Sequence, residues 1–434
     1  MGKRDQGHDY FQMSRREFAV GLLAAASTAM FPSNMSGQAS QGGLFPADGD
    51  ALRAKIRKTL FIPEELPRLD AQSYGQFSPM AGVLAERVSF ATTSGMRIPG
   101  IMYRPTTLRG KVPGMVVVNG HSGDKSTWYA FYAGMLYAKA GCVVLTYDPL
   151  GEFERNEARK SDARLHDTEL PAPDMKLRVA GQMIGDILQA VEYVRERREV
   201  DSNRMAVMAY SMGSFQSAIA GALDRRFRGL ILSGGGNLDG PGGYWDMSKP
   251  MCQGGAYQAL RFLGDRGAVL YALNAQRGAT LIMNGDVDGL IVKPNTDEAF
   301  FVLLRDRTAA LTRSRSNLPE TYWFKGAGHR PSFVTRPAAL WLEKQIDLPL
   351  WTLSSIEAMP ESHISEWSKA TGAVIGASFA KEVSEGGVEA LRTDIPNISR
   401  EQLLAIPEKE WETDRDAYTY ESWVRRVTGG AAGV

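Results

Sequence analysis

Three short segments of the chain carry residue types that act together in nucleophilic catalysis. Residues 209–213 (AYSMG) follow an apolar run at a point where a strand pattern changes to a helix pattern. A serine with a small residue two positions before it and another two positions after it, here Ala209 and Gly213, predicts a tight turn at such a junction. This turn holds the serine hydroxyl clear of the backbone. The segments 285–288 (GDVD) and 326–329 (GAGH) follow later in the chain. A serine, an aspartate and a histidine in this order predict a catalytic triad.

Within these segments we assign the nucleophile to Ser211, the general base to His329 and the orienting acid to Asp288. Because a serine hydroxyl is a weak nucleophile, it needs a base within hydrogen-bond reach. His329 is the one histidine of the five that follows a predicted strand in a glycine-rich loop after Ser211. Asp286 is the alternative acid, but it comes so soon after the strand that we expect a turn residue there.

The backbone on either side of the serine is expected to bind developing negative charge. An oxyanion hole needs two N–H groups, which we assign to Met212 and to His121 in the loop 119–124 (NGHSGD). The His121 side chain is expected to line the pocket, with a role as a second base as the less favoured alternative. Glu154 and Arg155, in a charged stretch after a strand, are candidate substrate contacts, and plain solvation is the alternative.

The elements that must position these residues alternate between strand and helix. Apolar runs at 115–118, 142–147, 205–210, 230–232, 281–283 and 322–324 predict short buried strands. Helical patterns at 128–140, 177–194, 297–313 and 337–345 lie between them. The alternation predicts an α/β fold with a mostly parallel central sheet and helices on both faces. A strand pair at 87–93 and 97–103 is expected before it.

Both ends of the chain differ from this pattern. Residues 1–39 combine a paired arginine at 15–16 with an Ala-rich apolar stretch, which resembles a twin-arginine export signal that is removed. Residues 40–110 read as an N-terminal arm with short helical patches up to residue 82, followed by the first strands. Residues 111–347 form the catalytic core. Residues 348–434 are expected to form a helical C-terminal extension that wraps over the core. The pattern predicts one helix over 364–383 but does not indicate the fold of the extension.

Composition excludes several classes of function. The 50 basic and 49 acidic residues nearly cancel, which argues against nucleic acid or an anionic membrane as the main partner. Two cysteines make neither a disulfide framework nor a zinc cluster. No spacing typical of metal ligands occurs, so we expect no metal and no cofactor.

These motifs, taken together, resemble the α/β-hydrolase superfamily, and within it dienelactone-hydrolase-like and acetyl-xylan-esterase-like proteins. The resemblance covers about residues 112–346 and rests on the segments already named together with 147–151 (YDPLG). It departs from the family pattern at Ala209, where a glycine is usual. It also departs at Ser211, where true dienelactone hydrolases have a cysteine.

The resemblance implies a serine hydrolase that cleaves carboxylic esters through an acyl-enzyme intermediate. Short-acyl or acetyl esters of carbohydrates or other small molecules are the expected substrates, and the export signal implies a periplasmic or secreted enzyme. Two alternatives remain: an exported serine peptidase or amidase on the same fold, and a non-catalytic binding protein on a hydrolase scaffold.

Overall fold

A nine-stranded sheet forms the centre of the molecule, in the order β1-β2-β3-β5-β4-β6-β7-β8-β9. In this computed structural model, residues 49–108, 110–161, 165–167, 174–239, 251–290, 297–375, 389–391 and 394–429 are described. The strands are β1 (Gln72–Met80), β2 (Val83–Ala91), β3 (Arg97–Pro105), β4 (Val112–Val118), β5 (Val143–Tyr147), β6 (Val200–Tyr210), β7 (Gly229–Ser233), β8 (Ala279–Gly285) and β9 (Glu320–Phe324). The export segment 1–39 lies outside the described residues.

The sheet is antiparallel at one edge and parallel elsewhere. β1 pairs with β2, β2 with β3, and β3 with β5, each antiparallel. From β5 to β9 all neighbours are parallel, with Val118 of β4 beside Ala209 of β6, and Tyr210 beside Ser233 of β7. The carboxyl ends of β4, β6 and β7 therefore meet at one edge. In open α/β sheets, ligands bind at this edge.

Helices cover both faces of this sheet. They are α1 (Asp50–Thr59), α2 (Trp128–Lys139), α3 (Met175–Arg195), α4 (Met212–Leu223), α5 (Ala256–Ala259), α6 (Arg266–Ala275), α7 (Glu298–Thr312) and α8 (Arg336–Ile346). Alternate residues of β4 explain the two layers, since side chains of a strand point to opposite faces. Val117 belongs to a hydrophobic cluster that includes α2 and α8, while Val116 belongs to one that includes α3, α4 and α6. The predicted α/β architecture is confirmed.

The N-terminal arm contains a strand that the sequence did not reveal. β1 pairs along β2 at the outer edge of the sheet, where the sequence had predicted only short helical patches. Its side chains are exposed or half-buried, so no apolar alternation marks it, and Gly75 and Pro79 read as turn residues. An edge strand tolerates both residues because one of its sides has no partner strand.

The C-terminal extension packs on the core. It contains α9 (Leu353–Ala358), β10 (Glu361–His363), α10 (Ile364–Thr371), β11 (Glu389–Leu391), α11 (Glu408–Tyr418) and α12 (Tyr420–Val427). Trp367 lies against the aromatic rings of Trp128, Phe131 and Tyr132 of α2. The Tyr132 hydroxyl donates to the Leu391 carbonyl at 2.5 Å. These contacts place the extension in the same hydrophobic cluster as β4 and α2.

The prediction of one helix over 364–383 is wrong, because α10 ends at Thr371. Gly372 follows with φ 70° in the left-handed region and caps the helix through its N–H to the Ser368 carbonyl. Glycine at this position is a common helix stop because the left-handed conformation costs it little.

No helix among the described residues is long and apolar enough to cross a membrane.

Candidate active site

Ser211 sits in a strained turn between the end of β6 and the start of α4. Its backbone has φ 54° and ψ −119°, in a region that residues with a side chain rarely adopt. The turn is held from below by the Ser211 N–H, which donates to the Ser233 carbonyl at 2.9 Å. Such a strained strand-to-helix turn is the geometry of a nucleophile elbow, which exposes the serine hydroxyl above the sheet.

Two glycines allow the backbone to pass close to this turn. A Cβ at Gly213 would lie 2.6 Å from the Asn119 carbonyl oxygen, and one at Gly120 would lie 2.9 Å from Cβ of Ser211. Since contacts this short do not occur in folded proteins, any larger residue would force the loop after β4 away from Ser211. The same loop carries His121, which therefore lies beside the serine.

His329 links Ser211 to Asp288 through two short hydrogen bonds. Its Nε2 lies 2.7 Å from the Ser211 Oγ, and its Nδ1 lies 2.7 Å from an Asp288 carboxylate oxygen. The imidazole is 17% exposed and the carboxylate is fully buried. An ionised carboxylate only accepts hydrogen bonds, so Nδ1 carries the proton and Nε2 is free to accept the serine proton.

The structure brings Asp288, and not Asp286, to the histidine. Asp288 also accepts the Leu290 N–H at 2.9 Å through its second oxygen, which fixes the carboxylate in place. The exposed Asp286 accepts the Gly326 N–H at 2.6 Å and so ties down the start of the loop that carries His329.

A third glycine lets the histidine reach the serine. Gly234 has φ +60°, and a Cβ there would lie 2.7 Å from the His329 ring carbon Cε1. Both the backbone conformation and the space therefore require glycine at this position.

Two further residues hold the His329 loop, and sequence reasoning missed both in this role. The Tyr210 hydroxyl donates to the His329 carbonyl at 3.1 Å, and its ring centroid lies 5.0 Å from the imidazole. Arg330 donates to the same carbonyl. Burial raises the pKa of Tyr210 well above its usual value and lowers that of Arg330. The position of Tyr210 directly before the serine was the only available signal.

The predicted oxyanion donors lie at the expected places in the chain. Met212 is the first residue of α4, and N–H groups in the first turn of a helix have no acceptor within the helix. His121 follows Gly120, whose own N–H donates to the Tyr129 hydroxyl at 3.3 Å. The His121 side chain turns toward Asp167, 3.5 Å away, and its ring stacks on His166.

The assignment of Glu154 and Arg155 as substrate contacts is wrong, because both side chains are completely buried. Glu154 forms an ion pair with Lys125 at 2.5 Å and accepts the Ala405 and Ile406 N–H groups of the C-terminal extension. Arg155 forms an ion pair with Asp186 at 2.5 Å. Glu154 and Arg155 therefore face inward, where Glu154 binds the extension and Arg155 binds α3.

Sequence comparison gives a match that covers 34% of the chain. No protein-family profile matches the chain. The thiohydrolase apmlB of Arthrinium phaeospermum is 26% identical over 148 residues, which are 34% of this chain and 42% of that protein.

Among solved structures, the methylesterase BT1017 is similar with a TM-score of 0.51 and 16% identity, over 85% of this chain and 76% of that one. The acetyl xylan esterase from Paenibacillus sp. R4 is similar with a TM-score of 0.47 and 17% identity, over 69% and 94%. The parallel sheet, its helical layers and the likeness to the methylesterase establish an α/β-hydrolase fold with a helical C-terminal region.

Proposed function

We propose that the protein is a serine hydrolase that cleaves carboxylic esters through an acyl-enzyme intermediate. The observation that carries this proposal is the chain of two hydrogen bonds, each 2.7 Å long, from Ser211 through His329 to Asp288. The serine in this chain lies in a strained turn. A nucleophile, its base and an orienting group in hydrogen-bond reach are the arrangement that acyl transfer needs.

In the first half of the reaction, the Ser211 oxygen attacks the ester carbonyl carbon while His329 Nε2 takes the hydroxyl proton. The Met212 and His121 N–H groups bind the negative charge on the carbonyl oxygen. Asp288 keeps the proton on Nδ1 and stabilises the imidazolium that forms. His329 then returns its proton to the leaving alcohol, and the acyl group remains on Ser211.

In the second half, water replaces the alcohol and repeats the same steps. His329 takes a proton from the water as the water attacks the acyl carbon, and it returns that proton to Ser211 as the carboxylic acid leaves. The 17% exposure of His329 supports this step, because water reaches the imidazole without any opening of the fold.

We propose small esters as substrates, with acetyl or other short acyl groups on a carbohydrate as the preferred class. The resemblance of the motifs to acetyl-xylan-esterase-like proteins supports this choice. The two similar proteins, a methylesterase and a thiohydrolase, are named as hydrolases, which supports the proposed type of reaction.

The test is labelling with a fluorophosphonate probe together with hydrolysis of a p-nitrophenyl acetate-to-octanoate series. We expect Ser211→Ala to abolish labelling, and the exposed serine variant Ser202→Ala to label like the wild type. Hydrolysis should be fastest for acetate. Labelling without ester turnover, combined with cleavage of aminoacyl amides, would replace the esterase with a peptidase or amidase. A folded wild-type protein that does not label would leave only a binding scaffold.

We also propose that residues 1–39 direct export of the folded protein to the periplasm or beyond. The paired arginines Arg15 and Arg16 before the apolar stretch 18–31 support this proposal. Replacing both arginines by lysine should move the esterase activity from the periplasmic to the cytoplasmic fraction of producing cells. An unchanged distribution would contradict it.

A further inference from the structure

Next to the triad, two loops bring together two histidines and an aspartate. His121 belongs to the loop after β4, and His166 and Asp167 belong to a 3₁₀ turn, Leu165–Asp167, in the connection between β5 and α3. One nitrogen or oxygen atom from each of the three side chains lies within 4.8 Å of the others. His166 is fully buried, whereas His121 and Asp167 are 18% and 15% exposed. The cluster is therefore partly accessible to solvent through His121 and Asp167.

The distances within this cluster fit a shared cation better than direct hydrogen bonds. His121 Nε2 lies 3.5 Å from one Asp167 oxygen, and His166 Nε2 lies 3.9 Å from the other. Hydrogen bonds between such groups span about 2.7–3.2 Å. Two ligand atoms bound to one tetrahedral zinc at about 2.1 Å are about 3.4 Å apart. The two rings stack with 9° between their planes, so a rotation of a side chain is needed, as well as a shift of about 1 Å, to bring the three atoms onto one ion.

A buried carboxylate stands behind one of the histidines. Glu152 is completely buried, and its Oε1 lies 4.0 Å from His166 Nδ1, the nitrogen on the other side of the ring from Nε2. Histidines that bind metals regularly donate their second ring N–H to a carboxylate, which fixes the ring and raises the basicity of the binding nitrogen. Glu152 is placed for this role, and Glu152 and Asp167 together supply negative charge that suits a dication.

We propose that His121, His166 and Asp167 bind a divalent transition-metal cation of the zinc class. Two imidazoles and one carboxylate are ligands that such ions accept, and three protein ligands leave a fourth position open. No sequence motif reveals the site because its ligands come from two loops that are distant in the chain. Because the sequence contains no spacing typical of metal ligands, no metal was expected from it.

The location of the metal site indicates which group of the substrate the cation would bind. His121 follows Gly120, whose backbone lies against Ser211, so a cation bound by His121 would lie in the neighbourhood of the ester that the triad attacks. The inferred ligand is a hydroxyl or carboxylate oxygen on the alcohol portion of the substrate, next to the ester bond. This second part of the inference rests on the proposed function, whereas the metal site itself does not.

Metal binding is tested on chelator-stripped protein titrated with Co²⁺, by its visible absorption bands, and with Zn²⁺, by calorimetry. We expect one equivalent per chain, with affinity lowered at least about 100-fold in His166→Gln and in the half-buried Asp167→Asn. Glu152→Gln should lower it about 10- to 100-fold. The matched control is His363→Asn in the extension, because His363 caps α10 through Nδ1 and asparagine caps equally well. Wild-type protein that binds neither ion, or equal binding in all variants, would overturn the site.

The substrate part is tested by comparing glycerol monoacetate with ethyl acetate before and after stripping. We expect stripping to raise KM for the hydroxylated ester about tenfold and to leave that for ethyl acetate unchanged. Equal changes for both would overturn the role of the cation in substrate binding. Fluorophosphonate labelling of the stripped protein separates the two proposals. A protein that labels but binds no metal overturns the metal site alone. A protein that binds metal but does not label overturns the serine hydrolase and, with it, the role of the cation in substrate binding.

Discussion

The strands β5 and β8 each carry an aspartate just past their carboxyl ends, and both carboxylates are completely buried. Asp288 after β8 faces His329, which is 17% exposed, whereas Asp148 after β5 faces Lys125, which is fully buried. Burial of the carboxylate is thus the same at both sites, and the exposure of its partner differs. A side chain that reaches solvent, such as His329, can exchange protons with a substrate. A fully buried side chain, such as Lys125, can only stabilise the fold.

The second site is an ion network that ties the C-terminal extension to the core. Lys125 forms ion pairs with Asp148 and Glu154, both at 2.5 Å, and its charge lies over the Phe153 ring. Glu154 accepts two N–H groups of the extension, and its carbonyl accepts the Trp411 indole N–H at 3.0 Å. Removing one member of such a buried group leaves an uncompensated charge, which is costly.

The largest effect is expected at the triad. Asp288→Asn should lower kcat about 10⁴-fold, because an amide cannot hold the proton on His329 Nδ1 as the carboxylate does. Thermal unfolding should change much less than the rate. Asp286→Asn, two residues away, is the control, since its side-chain oxygen still accepts the Gly326 N–H. Steady-state kinetics on p-nitrophenyl acetate measures both. Equal losses in the two variants would contradict the choice of acid.

A large effect on stability, and not on chemistry, is expected from Glu154→Gln. The free energy of unfolding should fall by about 3–5 kcal/mol, because the change breaks a buried ion pair and leaves one extension N–H facing an amide donor. Urea denaturation measures this loss, and Ser211 should still react with fluorophosphonate. Glu157→Gln, which breaks an exposed pair with Arg425, should cost less than about 1 kcal/mol. A loss at Glu154 as small as at Glu157 would show that the extension is held by other contacts.

A smaller effect concerns the pH dependence of stability. Burial raises the pKa of Asp148 to about 7, and Lys125 opposes the shift. Between the ordinary carboxyl pKa and about 7, the folded protein holds a proton that the unfolded chain has released. The proton on Asp148 therefore adds to the free energy of unfolding in full at low pH, and this stabilisation is lost as the pH rises through about 7.

Asp148→Asn should remove a slope of at most about 1.4 kcal/mol per pH unit from the unfolding free energy in that window. Urea denaturation at a series of pH values from 4 to 7.5 measures it. Parallel curves for variant and wild type would contradict the raised pKa.

The smallest effect is expected at the rim of the network. Arg400 of the extension pairs with Asp124 at 3.0 Å and lies over the Phe153 ring, but it is 41% exposed. Exposed ion pairs contribute little because water screens them, so Arg400→Ala should lower the free energy of unfolding by about 1 kcal/mol or less. A loss similar to that of Glu154→Gln would mean that the network extends to the surface.

The segments around Ser211, Asp288 and His329, which the structure brings together, were recognisable in the sequence because their signals are local. The end of a strand is indicated by the small residues around Ser211 and by the glycines before Asp288 and His329. The edge strand β1 was not predictable, because it has no buried face to produce alternation. The roles of Tyr210 and Arg330 were missed as well. Tyr210 donates to a carbonyl 119 residues later in the chain, and the contact of Arg330 with the carbonyl of the preceding residue depends on how the loop folds.

The sequence by itself determined the alternation of strands and helices from β4 to α8, the turn around Ser211 and the chain order of Ser211, Asp288 and His329. Each of these signals depends on neighbours a few positions away. Only the tertiary structure decided that Glu154 and Arg155 face inward and that His121 meets His166 and Asp167. The physical reason is that the burial of a charge depends on its partners, and those of Glu154 lie 29 residues before it and more than 250 after it. No local pattern carries that information.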